Sequence, residues 1–167
     1  MQVTQDELKR YEELQVIALD FARQGKTQDL KLMLQAGMPV NLSDHKGNSL
    51  IMLASYNGNL ETTSMLIDFK ALVDFGADVD KKNDKGQTPL AGVCFKGYLD
   101  IVKVLVKAGA NIHENNGMGT TPLMFASIFG NYEIVKFLSE ENKKLNLKFL
   151  IYLYLSRFLN FFKSFFK

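Results

Sequence analysis

Thr88-Pro89-Leu90 returns as Thr121-Pro122-Leu123, and Gly86 and Gly97 return as Gly119 and Gly130, each 33 residues on. Gly76-Ala77-Asp78-Val79-Asp80 returns as Gly109-Ala110-Asn111-Ile112-His113 at the same interval, and Gly25 returns as Gly58. Two other pairs, Gly47 with Gly86 and Gly37 with Gly76, are 39 apart, so one unit carries six extra residues between Gly58 and Gly76. There Leu66-Ile67-Asp68-Phe69 is echoed by Leu72-Val73-Asp74-Phe75. A fixed period of this size means that each unit is one supersecondary module unable to bury its apolar face alone. The chain must therefore stack its units side by side.

Within a unit the residues spell two helices. Thr88 can cap a helix whose first turn holds Pro89, where a missing N–H costs nothing. Val93 and Cys94 are small enough for close helix approach, and Gly97 ends that helix. Leu99, Val102, Leu105 and Val106 then recur at helical spacing, and Gly109 supplies the backbone needed to leave the second helix. The next unit repeats the scheme with Thr121, Ala126, Ser127, Gly130, Ile134, Val135, Phe137 and Leu138. At the start, Thr4-Gln5-Asp6-Glu7 reads as a capping box opening a long helix. Leu8, Tyr11, Leu14, Ile17, Ala18 and Phe21 are assigned to one face of it.

A unit reading G-x-TPL, small residues, glycine, an apolar helical pattern and then GAxhx resembles the ankyrin repeat. The resemblance runs from about residue 18 to 141, tight in the third and fourth units and looser in the first two. It implies an all-α fold: an ankyrin-repeat solenoid of stacked helix-turn-helix units with β-hairpin loops. The organisation expected is an N-terminal capping helix and degenerate first repeat at 1–41. A repeat at 42–80 follows, with its six-residue insertion near 70–75, then a full repeat at 81–113 and a truncated last repeat at 114–141. The family usually places histidine after TPL, where it bonds neighbouring loops. Met52, Ala91 and Met124 hold that slot here, which removes that inter-repeat bond and implies a less rigid stack. Ser49-Leu50-Ile51 is a weaker helix start than TPL.

Either copy of the doubled phrase could fill the seam position of Leu105-Val106. A lengthened or bulged second helix, with a local break in hairpin alignment, is the expectation. It reads as neutral expansion of a tolerant edge rather than an insertion made for a partner. The tail at 142–167 is cationic and amphipathic, with Leu147, Leu150, Ile151, Tyr154, Phe158, Phe161 and Phe165 on one helical face. Lys148 and Arg157 interrupt its apolar run, which argues against a transmembrane span. It reads as a cap on the last repeat, as a helix lying on an anionic membrane, or as the product of a lost reading frame.

The net charge of +2 divides unevenly. Six cations and no acids follow Glu141, leaving 14 basic against 18 acidic residues before it, a body of about −4. Nucleic acid is therefore not an expected partner. One cysteine cannot form an internal disulfide, and the charged N-terminus lacks a secretory pattern, so a reducing cytosol is expected, the chain's own or a host's if a microbe exports it. Gly25-Lys26-Thr27 lacks the earlier glycine of a phosphate loop, since position 20 is Asp20. His45 and His113 lie in hairpins of different units, and no nucleophile and base stand together. No catalytic residue, metal or cofactor is assigned, and the chain is read as no enzyme.

The remaining class is a monomeric protein-interaction module with a protein partner. The resemblance implies contacts at hairpin tips and on the exposed face of each first helix. Carried to matching positions, these are His45, Lys46, Asn48, Tyr56 and Asn57 in the second unit. Asp84, Lys85, Gln87, Phe95 and Lys96 follow in the third, and Met118, Thr120, Ile128 and Phe129 in the fourth. Tyr56, Phe95 and Phe129 form an aromatic line across successive units, exposed for a partner or packed between neighbouring first helices. A membrane-associated adaptor anchored by its tail, and a truncated or degraded gene product, are the alternatives.

Overall fold

The computed structural model describes residues 4–69 and 77–143. Among these residues the fold is helical, with one isolated antiparallel bridge, Ser43 to Ser49. Helices α1 (Gln5–Gln24) and α2 (Thr27–Gln35) form the first unit. Helices α3 (Leu50–Tyr56) and α4 (Leu60–Asp68) form the second, and α5 (Pro89–Lys96) and α6 (Leu99–Lys107) the third. The fourth holds α7 (Pro122–Ile128) and α8, which runs from 132 to the last described residue, 143. Helices α1, α3, α5 and α7 pack in sequence as an inner row, and α2, α4 and α6 pack as an outer row.

Each inner helix after the first starts where the sequence places it. Ser49, Thr88 and Thr121 are extended, and their hydroxyls accept from the backbone N–H of Met52, Ala91 and Met124. Each cap satisfies a donor that the helix leaves orphaned, a contribution of roughly 1 kcal/mol. Ser49, the weaker start, caps as its threonine equivalents do. The capping box at Thr4 and Glu7 is present in full.

The seam between rows is continuous. Leu30, Leu50, Leu66, Leu90, Leu105, Ile134 and Leu138 are buried, joined by small residues where inner helices meet. Ala22, Ser55 and Cys94 are equivalent and fully buried, whereas Ser127, next in the series, is exposed. Leu66 occupies the slot of Leu105, so the first copy of the doubled phrase fills the core, and α4 matches α6 in length. Residues 70–76, where the sequence suggests a lengthened or bulged helix, lie outside the described residues. So do residues 144–167, which hold nearly all of the tail.

One half of α1 departs from a shielding cap. Ala18, Leu19 and Ala22 pack against the stack, but Leu8, Tyr11, Leu14, Val16 and Ile17 are exposed. The cause is length: α1 has 20 residues and its neighbour α3 only 7, so most of its first half outruns the helix beside it.

Inter-repeat hydrogen bonds are plentiful despite the missing histidines. The Asn59 amide donates to the Ala22 and Arg23 carbonyls, both at 2.9 Å. Asn131 does the same to Cys94 at 2.7 Å and Phe95 at 3.3 Å. These carbonyls are the unpaired C-terminal ends of inner helices one unit back, so each asparagine stitches its unit to the one before. Gly97, at φ 82°, makes room for one of them, since a Cβ there would stand 2.7 Å from Asn131 Oδ1. The buried Thr27 and Thr62 hydroxyls add a link of 2.8 Å between α2 and α4.

Candidate functional site

Between an outer and the following inner helix the chain makes a reversing loop, and one asparagine or aspartate builds each tip. Asp44 Oδ1 accepts from the N–H groups of Lys46 and Asn48, both at 2.9 Å. Asn83 accepts likewise from Lys85 and Gln87, and Asn116 from Met118 and Thr120. A short polar side chain folding onto backbone two and four residues ahead rigidifies a turn. In each tip the N–H of the third residue on, Gly47, Gly86 or Gly119, donates to the carbonyl of that same residue.

The tips also touch one another. Asp84 N–H donates to the Lys46 carbonyl at 3.1 Å, and the Asn83 amide to Asn48 Oδ1 at 3.0 Å. Gly86 sits so close to the next tip that a Cβ would meet Gly117 N at 2.9 Å. Nearer their bases, Asn111 N–H donates to the Asp80 carboxylate, and Lys81 Nζ to the Asn41 carbonyl. The tips thus form a cross-linked wall facing the inner helices.

Wall and helices enclose a groove of about 520 Å³. Its floor is apolar: Met52, Leu53, Tyr56, Gly92, Phe95, Phe125 and Phe129. Tyr56 and Phe95 stack with ring planes 4° apart and centroids 6.4 Å apart, and Phe95 meets Phe129 edge-on at 4.4 Å. The rings pack on one another, yet Tyr56 remains 41% and Phe129 51% exposed. Gly92 lets Tyr56 lie against α5, for a Cβ there would meet the ring at 3.1 Å.

The wall side is polar, lined by Lys46, Asn48, Asn83, Asp84, Lys85, Gln87 and Thr88. Lys96 Nζ lies 4.6 Å from the Tyr56 ring centre, a cation–π contact. At the first unit Arg23 stands in the slot of Tyr56, and its guanidinium reaches the tip to pair with Asp44 at 2.9 Å. Burial alone would raise the Asp44 carboxyl; hydrogen bonds from the Asn48 side chain, the Lys46 and Asn48 backbone and Arg23 outweigh it and hold it below the ordinary range. Asp44 is thus an already neutralised charge within its tip.

Eight of the sequence-assigned residues line the groove: Lys46, Asn48, Tyr56, Asp84, Lys85, Gln87, Phe95 and Phe129. The others fall outside its lining. His45 and Met118 are exposed at tips, and Ile128 is 68% exposed on α7. The Asn57 amide is turned to the Leu53 carbonyl, and Thr120 N–H to its own tip. The floor residues Met52, Leu53, Gly92 and Phe125 were missed, as were Asn83 and Thr88. Recurrence of Asp or Asn three residues before Gly47, Gly86 and Gly119 was the available signal for the tips.

Among the described residues no cluster of His, Cys, Asp and Glu could hold a metal ion, and no helix is long and apolar enough to cross a membrane. Cys94 is buried, which pushes its thiol up to about 12 and leaves it unsuited to nucleophilic chemistry at neutral pH.

A family model described as "Ankyrin repeats (3 copies)" matches residues 19–116 and 68–149. An ankyrin repeat protein of Pseudomonas aeruginosa is 54% identical over 46 residues, 28% of this chain and 27% of that protein. Protein phosphatase 1 regulatory subunit 27 of Mus musculus is 34% identical over 90 residues, 53% of this chain and 54% of its own length. The chain therefore spans about a quarter to about half of these curated relatives.

Proposed function

The chain belongs to the ankyrin-repeat family, and on that premise we propose that it is a non-catalytic adaptor binding a protein partner between its loop tips and inner helices. The observation that carries this reading is the aromatic row along the floor of a preformed groove, Tyr56 and Phe129 exposed with the half-buried Phe95 between them. Rigid aromatics with polar neighbours are the anchors that interfaces use, and a cross-linked wall lowers the ordering cost of binding. A relative named as a regulatory subunit supports an adaptor role.

In this reading the chain works as a monomer in a reducing cytosol, where a buried free Cys94 is at ease. Affinity capture with the full chain tests it, comparing wild type with Tyr56→Ala/Phe95→Ala/Phe129→Ala. Loss of the captured partner, with cooperative unfolding retained, is the expected result; truncating a central anchor typically weakens binding thirtyfold or more, roughly 2 kcal/mol. An unchanged set of captured proteins would remove the groove from the account.

A further inference from the structure

Resting on the groove reading, we infer that its occupant is an extended acidic segment followed by an apolar side chain. Lys46, Lys85 and Met118 occupy one equivalent position in three successive tips, 39 and 33 residues apart. Lys46 and Lys85 are exposed, and neither forms an ion pair among the described residues. Asp44, which could have neutralised them, is committed to Arg23. Asp84 is the one acid in the groove's lining, against Lys46 and Lys85 there and Lys96 over Tyr56. This cationic stretch sits on a body whose charge is about −4, so the surrounding surface repels an acidic ligand that the groove attracts.

The fourth unit reverses the preference. Its tip position is Met118, 88% exposed, and its floor is Phe129, with no charge in the groove's lining there. A ligand crossing from the second unit to the fourth meets a cation, a cation and then an apolar end. Packed helices stand about 8–10 Å apart, close to the roughly 9.3 Å over which an extended polyproline-type segment returns to the same face. Carboxylates three positions apart can therefore face Lys46 and Lys85, with an apolar residue three further on facing Met118 and Phe129. The amphipathic match assigns the ligand's chemistry from successive tips rather than from overall charge.

Selection of random dodecapeptides displayed on phage, with the full chain immobilised, reads that preference directly. The expected pool on wild type is net acidic with an apolar residue at one end. On Lys46→Glu/Lys85→Glu the pool should lose its acidic bias, and an enriched peptide should bind that variant about tenfold more weakly. Both lysines are exposed, and a circular dichroism melt checks that the variant remains folded. A neutral or basic pool on wild type, or an acidic pool indifferent to the two reversals, overturns the inference. If such a pool is still lost on Tyr56→Ala/Phe95→Ala/Phe129→Ala, the groove stands and only its charge preference fails. A pool indifferent to those three substitutions, or no enrichment at all, defeats the groove as well.

Discussion

Asn59 and Asn131 stand at the starts of outer helices, where asparagine ordinarily caps its own N–H groups, and the helix after Asn59 has no side-chain cap. Both amides reach back to the preceding inner helix instead. Replacing Asn131 with alanine leaves the Cys94 and Phe95 carbonyls without that donor, and a loss of about 1–2 kcal/mol in urea unfolding is expected. Asn131→Asp should cost more, because it points a negative oxygen at two carbonyls. Asp44 makes a pH prediction. Its folded carboxyl lies below the usual value, so its stabilisation is complete above about pH 4 and is lost as pH falls through the lowered folded value. Stability of Asp44→Asn should accordingly fall less steeply than wild type over that acid range. These roles were not legible in the sequence. An asparagine after glycine looks like a local turn or cap residue, and its partners here lie 36 and 37 residues earlier.

Helix starts and stops, by contrast, could be read directly, because threonine, proline and glycine act on the backbone within a few residues of themselves. Thr88 caps α5 as its position implies, and Thr88→Ala should cost about 1 kcal/mol in denaturant unfolding, with a similar loss for Thr121→Ala. Thr4→Ala should matter less, since the capping box it removes sits on an exposed helix end. Comparing the three midpoints checks that order. The groove floor was harder to read. Met52 and Leu53 follow the cap in an apolar run that local pattern assigns wholly to the core. Both are indeed largely buried, and they border the groove only because rings from three successive units, Tyr56, Phe95, Phe125 and Phe129, complete it. Helical period also overstated the cap, since it marks which face of α1 is apolar but not whether anything stands opposite.

At the scale of the molecule the stack gives two unlike surfaces: an inner one walled by linked tips and floored by aromatics, and an outer row of α2, α4 and α6. The repeat length revealed this arrangement in advance, because a regular period fixes which residues recur side by side. It could not supply the ion pair that joins Arg23 of the first unit to Asp44 of the next loop. Hydrogen exchange of the full chain, alone and with its captured partner, tests the whole account most directly. Added protection is expected in segments 44–57, 83–97 and 116–130, with α2, α4 and α6 unchanged. Protection confined to that outer row, with the aromatic floor and loop tips exchanging as before, would contradict it.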